Sequence, residues 1–277
     1  MKFELHCHSL HSHGGKIRWE GLASPSHIVH MLKKRGINGF AITDHDSIAG
    51  WKEAKTAAKR EGMVFIHSIE ISTLCGHLIA LGVNEAVRPG LSVEETIDLI
   101  HDQGGLAIAP HPFDIRKEGI GRDFSRCDAV EVFNSLNLTK IENLLADMQA
   151  KKHGVPAVGG SDAHSLKMLG MTVNHINADD ADSALKRIRN GDVKIQGRYI
   201  PIHIVIDWIR NRMQLSYDDI NKYIGKNYSK PKSLLAKSML DMFVSSDSGA
   251  WNALGYFAVS ASMIYSFLTL PLRLNSF

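Results

Sequence analysis

An alternation constrains the fold of this chain more than any other feature. Through roughly the first 195 residues, short apolar runs are separated by amphipathic segments. The runs Phe3–His8, Gly39–Thr43, Val64–Glu70, Leu78–Val83, Leu106–Ala109, Ala129–Phe133 and Ala157–Gly160 have the length and residue types of strands. Helices are expected between them. Ser24-Pro25-Ser26 opens one that runs to about Arg35, with proline in the first turn and Gly36 as the stop. Ser92 followed by Glu95 has the form of a capping box, and Gly104-Gly105 ends that helix. Thr139–His153 and Ala181–Asn190 complete the set. Strands alternating with helices imply parallel β/α units, and seven such units can close into a barrel. The expected class is therefore α/β, a seven-stranded barrel followed by a helical appendage.

The strand ends carry the chemistry. In a parallel β/α barrel, reactive groups collect where strands finish. The first run ends in Glu4-Leu5-His6-Cys7-His8, and alternation along a strand projects His6 and His8 from one face with Cys7 opposite. The second ends in Thr43-Asp44-His45-Asp46, and the third in Glu70. His77 precedes the fourth, Pro110-His111-Pro112 follows the fifth, and Ser161-Asp162-Ala163-His164 follows the seventh. One such histidine is commonplace on a surface. Six deliveries of His, Asp or Glu to one rim point to a multinuclear metal centre. Asn134 ends the sixth run at the same rim, and the loop after His111 carries Arg116 and Arg122, which could clamp a phosphate.

His-x-His, Thr-Asp-His, the isolated Glu, His-Pro and Ser-Asp-Ala-His in this order resemble the PHP (polymerase and histidinol phosphatase) superfamily of metal-dependent phosphoesterases. The resemblance covers residues 1–197. It implies a distorted seven-stranded β/α barrel with two or three divalent ions at its rim. Carried over by position, His6, His8, Glu70 and Asp162 would hold the first metal. Glu70 would bridge to a second, completed by His77 and His111, and His13, His45 and His164 would hold a third. Glu4 stands where the family often has Asp and is expected to orient an imidazole. His13 stands where the family frequently has Asp.

This shell counts two carboxylates against seven neutral imidazoles, so three divalent ions would leave about four positive charges in excess. That favours a dianionic phosphate over a neutral amide or ester. The expected reaction is hydrolysis of a phosphate ester by a hydroxide between the first two metals, with Asp162 and His164 as candidate catalytic groups. The substrate would be a small phosphorylated metabolite, a nucleotide or a short oligonucleotide. An exonuclease trimming nucleic acid ends is a second reading, and a membrane-tethered regulatory module with a structural metal site a third. Imidazole-rich ligation suits Zn, Mn or Fe. No P-loop, dinucleotide fingerprint or Gly-x-Ser-x-Gly elbow is present.

Composition narrows the setting. A formal net charge of +3 argues against a protein that coats nucleic acid. Three widely spaced cysteines argue against a disulfide framework, and the first residues lack a signal-peptide core, so a cytoplasmic location is expected. Residues 198–277 read as the helical appendage. Within them, 250–272 carry no charge, as a membrane-anchoring or a buried apolar helix would.

Overall fold

The computed structural model describes residues 1–12, 18–246 and 248–275, with side chains through 269 in the last helix. The elements run β1 (Lys2–Glu4), α1 (Pro25–Lys34), β2 (Gly39–Ala41), α2 (Trp51–Glu61), β3 (Val64–Ile66), β4 (Ser68–Thr73), β5 (Gly76–Leu81), α3 (Val93–Asp102), β6 (Leu106–Ala109), β7 (Ala129–Asn134), α4 (Lys140–His153), β8 (Ala157–Gly160), β9 (Thr172–Ile176), α5 (Ala181–Arg189), β10 (Val193–Gly197), α6 (Ile202–Leu215), α7 (Tyr217–Asn227), α8 (Lys230–Ser245) and α9 (Gly249–Asn275). The Ser92–Glu95 capping box forms, with each residue's side chain bonded to the other's backbone N–H.

The strands do not close into the seven-stranded barrel expected from the sequence. They form two mixed sheets of five, in the orders β10-β9-β1-β2-β3 and β4-β5-β6-β7-β8. The reason lies in the run Val64–Glu70, which breaks at His67. Its first half pairs parallel to β2, and its second half turns into an antiparallel hairpin with β5. Strand β5 is again antiparallel to β6, and β9 and β10 are antiparallel at the far edge of the first sheet. Apolar runs of four to six residues bury equally well in either direction, so the pattern does not encode the hairpin. Between the sheets, among the described residues, the pairing is confined to isolated parallel bridges, Cys7 with Ala163 and His45 with Glu70.

Three apolar clusters hold this framework. One contains Ile28, Leu32 and Phe40, a second Ile69, Leu78 and Phe124, and a third Phe3, Ile66 and Leu106. Each such fully buried side chain contributes roughly 1.5–3 kcal/mol. Helix α6 joins the first cluster through Val205 and Trp208, so the appendage is packed onto the sheets rather than hung from them.

Helix α9 corrects both readings of residues 250–272. Among the described residues no helix is long and apolar enough to cross a membrane. Nor is α9 buried: Phe257 is 72% exposed, and Leu254, Ile264, Phe267 and Leu268 are exposed with it. Its inward side carries Gly255, Ser262 and Ser266 beside Trp251 and Val259. Gly255 lets the helix approach α6, since a Cβ there would collide with Ile206.

Candidate metal centre

The strand ends of both sheets converge on one buried cluster. His6 and His8 follow β1 and His45 follows β2, all from the first sheet. The second sheet supplies Glu70 on β4, His77 on β5, His111 after β6, and Asp162 and His164 after β8. These eight residues fall into four groups of three: His6, His8 and Glu70; His6, His111 and Asp162; His8, Asp162 and His164; His45, Glu70 and His77. Cys7 points the other way, buried, with its Sγ toward Ala41 O. His13 lies outside the described residues.

The distances inside the cluster test whether a metal would fit. His6 Nε2 lies 3.1 Å from His8 Nε2, 3.3 Å from Glu70 Oε2 and 3.4 Å from Asp162 Oδ1. His8 Nε2 lies 3.3 Å from each of the same two oxygens. Four ligands ~2.1 Å from one ion in a tetrahedron stand about 3.4 Å apart, so this cage has the dimensions of a metal site. The other carboxylate oxygen, Glu70 Oε1, lies 3.3 Å from both His77 Nδ1 and His111 Nε2. Nδ1 of His77 is buried without a hydrogen-bond partner. His45 Nε2 lies 3.4 Å from Glu70 Oε2, and its ring packs edge-on to His77 at 4.7 Å, so His45 borders the Glu70 side of the centre.

Neighbouring side chains fix how the imidazoles face. Glu131 accepts from His6 Nδ1 at 2.8 Å, which turns Nε2 toward the cage. Ser12 Oγ does the same for His8 Nδ1 at 3.2 Å. The carbonyl of Asp162 accepts from His164 Nδ1 at 2.8 Å. Glu4 does not orient an imidazole: it is wholly buried and accepts from the Ser161 hydroxyl and from the N–H groups of His6 and Gly170. Burial pushes its carboxyl up to about 7. Gly160 is required beside Glu131, because a Cβ there would collide with Glu131 Oε1 and crowd His6. Asp46, His111 and Asp162 have φ of 50°, 30° and 51°. Such left-handed conformations cost of order 1–3 kcal/mol each and are held here by the surrounding bonds.

The charges are strongly coupled. Burial raises the Glu70 carboxyl, but His45, His6 and His111 outweigh it and hold the group well below the usual carboxylate range. Asp162 is likewise held low against burial by His6 and His8. Burial opposes protonation of His6, yet Glu131, Asp162 and Glu70 raise it well above its ordinary value. His8 and His77 are also raised against burial, by Asp162 and Glu70 respectively. Burial takes His45 and His164 down to about 3.

A cavity of about 520 Å³ opens onto the cluster. Arg116 lines it, its Nε bonded to Asp114 at 2.8 Å and its Nη2 3.3 Å from Glu118. Arg122 is exposed on a short 3-10 turn, Gly121–Arg126, and does not line the cavity. Asn134 is buried behind the site, where its Nδ2 donates to Glu131 and Asp162. Sequence reasoning missed Glu131 and part of the cavity lining. Glu131 had a signal, a carboxylate inside an apolar strand. Glu20, Trp208 and Arg212, which also line the cavity, had none. With Glu20 and Glu118 at the cavity, counting two carboxylates understates its negative charge.

Comparisons with known proteins agree with this picture. Residues 140–193 match a family model described as PHP-associated, a span that contains Asp162 and His164. An uncharacterised protein of Methanocaldococcus jannaschii is 42% identical over 153 residues, 53% of this chain and 89% of that protein. A two-domain protein from Bacteroides vulgatus, containing a predicted PHP-like metal-dependent phosphoesterase, superposes with a TM-score of 0.60 at 15% identity, over 71% of this chain and 64% of that one. The chain belongs to the PHP superfamily. Another relative within reach of this PHP chain is a 3′,5′-nucleoside bisphosphate phosphatase of Chromobacterium violaceum, 32% identical over 93 residues. Those residues are 32% of this chain and 30% of the phosphatase, so the match spans less than a third of that enzyme. The donor set of this PHP chain is one that could hold divalent metal ions.

Proposed function

We propose that this chain hydrolyses phosphate monoesters of a small molecule of about nucleotide size. The observation that carries the reading is the pair of ligand sets sharing Glu70, one through each carboxylate oxygen, at the floor of a 520 Å³ cavity. Such a volume suits a small organic ligand. The bisphosphate phosphatase relative supports the same class of substrate.

In this reading His6, His8, Glu70 and Asp162 hold one ion, and Glu70, His77 and His111 a second, with Zn, Mn or Fe suited to the imidazole-rich set. Bound ions supply water acidification and charge neutralisation at the phosphoryl oxygens. Asp162 is held ionised, which suits a ligand and not a proton donor. His164 spends its Nδ1–H on a carbonyl, which leaves Nε2 as an electron-pair donor. Arg116, anchored by Asp114 and Glu118, orients an anionic oxygen from the cavity wall. Residues 1–197 form the catalytic domain in this scheme, and α6 closes its cavity with Trp208 and Arg212.

The test is phosphate release from p-nitrophenyl phosphate and from a panel of mono- and bisphosphorylated metabolites, with Mn²⁺ and an Asp162→Ala control. Turnover lost by at least 100-fold in the control supports the proposal. Full metal occupancy with no phosphate release from any compound sinks it in favour of a structural centre. Shortening of a 5′-phosphorylated oligonucleotide without free phosphate would move the assignment to a nuclease.

A further inference from the structure

The metal cluster stands beyond the C-terminal end of β1. A second pocket, of about 270 Å³, opens where that strand begins. Lys2 lines it from β1, Arg35 from the C-terminus of α1, Gln196 from β10 and Arg198 from the residue after β10. Among the described residues no acidic side chain lines it. The strand register extends the basic surface, since Lys194 pairs with His175 and His175 with Lys2. Lys194 and Gln196 are two residues apart on β10 and so face the same side.

Neither guanidinium is spent on a carboxylate of the described residues. Arg35 Nη1 donates to the carbonyl of Leu169, and Arg198 Nε donates to Met171 Sδ at 3.1 Å, a weak acceptor. Burial and the nearby Arg198 both lower the Arg35 guanidinium from its ordinary value, against an opposing pull from Glu4. Glu4 is itself buried behind Gly170, a lining residue, where its oxygens accept from the N–H groups of Gly170, His6 and Ser161 and from the Ser161 hydroxyl. Its carboxylate is thus taken up by donors other than the two arginines. Like charges brought together in a partly dry hollow repel, and a doubly charged oxyanion between them turns both interactions favourable. Guanidinium forks match phosphate oxygens in pairs. The volume falls below the ~300 Å³ at which pockets for drug-sized ligands begin, so it suits phosphate or a compact phosphomonoester rather than a nucleotide.

We propose that Arg35, Arg198 and Lys2 form a binding site for a small phosphate dianion, separate from the metal centre. The two arginines supply directed donors and Lys2 a point charge. The inference does not depend on the reaction proposed for the metal cluster. Phosphate chemistry also occurs along a nucleic acid backbone, but a pocket of this size takes a single phosphoryl group.

Calorimetric titration of the zinc-loaded full-length chain with inorganic phosphate tests this, together with NMR of the arginine Nε–H groups. Arg35→Gln and Arg198→Gln should each weaken one phosphate site by about 10- to 100-fold, as loss of a charged hydrogen-bonding partner does, with metal content unchanged. Asp162→Ala should leave that site intact, which separates it from phosphate held at the metals. In wild type the Nε–H resonances of Arg35 and Arg198, assigned by their loss in the two variants, should shift with phosphate and not with chloride of equal ionic strength. If Arg35→Gln fails to fold, the Arg198→Gln titration decides. Unshifted resonances, or unchanged phosphate affinity in the folded variants, overturn the proposal. Acetate shifting these resonances as tightly as phosphate overturns the dianion assignment. Tighter binding there by an oligonucleotide without terminal phosphate overturns the small ligand. A chain that binds phosphate at this pocket but hydrolyses no ester leaves the inference standing and sinks only the proposed function.

Discussion

Glu131→Gln removes one charge and changes no shape, and the structure says why it should be severe. Oε1 of Glu131 accepts from His6 Nδ1 at 2.8 Å, while Oε2 accepts from the backbone N–H of His111 and from Asn134 Nδ2, both at 3.0 Å. The His111 donor is fixed by the backbone. The Asn134 amide is oriented by its own carbonyl, which accepts from Leu136 N–H. A glutamine must therefore turn its carbonyl to these two donors and its NH₂ toward His6. That reverses the His6 bond: Nδ1 becomes the acceptor, Nε2 carries the proton, and the cage receives an N–H in place of a lone pair. The alternative orientation leaves two buried donors facing an NH₂, at about 1–3 kcal/mol each. Loss of a partner behind a metal-ligating histidine typically weakens metal binding 10- to 100-fold. With the wrong tautomer enforced, the upper end is expected, about 2.7 kcal/mol. Mn²⁺ competition against a fluorescent chelator measures it directly, with activity restored in part at high Mn²⁺. Affinity within threefold of wild type would refute the tautomer argument.

Other outcomes follow from the same geometry. Gly160→Ala should drive Glu131 off His6, at about 1–3 kcal/mol of overpacking, and lower both Tm and metal affinity; an unchanged melt would mean that the strand yields. Arg116→Ala should raise KM for an aryl phosphate by about 10-fold or more with a smaller change in kcat, and an unchanged KM would remove Arg116 from substrate binding. Without metal, His6, His8 and His77 hold protons above their ordinary value of 6.5. Ions must displace those protons, so Mn²⁺ affinity should climb as pH rises through neutrality, about tenfold per unit for each proton released; calorimetry in two buffers of different ionisation enthalpy reads the number, and identical enthalpies would contradict it. The sign for stability is opposite in the metal-free chain. Pairing of these three histidines stabilises it below 6.5 and is lost as pH climbs through their raised values, which pH-dependent melts in chelator will show.

What the sequence made legible was local. Two-residue periodicity separates His6 and His8 from Cys7, and strand ends place His45, His111 and Asp162 where the chain turns, whereas Glu70 sits inside β4 and not at the end of its run. The Ser92 cap is likewise a three-residue matter. What was not legible depends on distant segments meeting. Glu131 finds His6 across 125 residues, and Trp208 finds the carbonyl of Glu20 across 188. No periodicity announces either meeting. The barrel expectation went astray for a related reason: burial on both faces makes a strand apolar throughout, and such a run does not state the direction of its neighbours. Helix α9 defeats hydropathy in another way, since it has an apolar composition but turns Tyr256, Phe257, Tyr265 and Phe267 outward.

The division of the strands into two sheets bears on more than architecture. His6 and His8 come from one sheet, Glu70 and Asp162 from the other, and the bridges Cys7–Ala163 and His45–Glu70 cross at the same place. An ion in that cage would be bonded to both halves at once, so the catalyst and the fastener of the fold would be one object. A substitution that loosens the ion there loosens the join with it. Selection could not trade durability against turnover at these positions as it can in enzymes whose reactive groups stand on an independently closed scaffold.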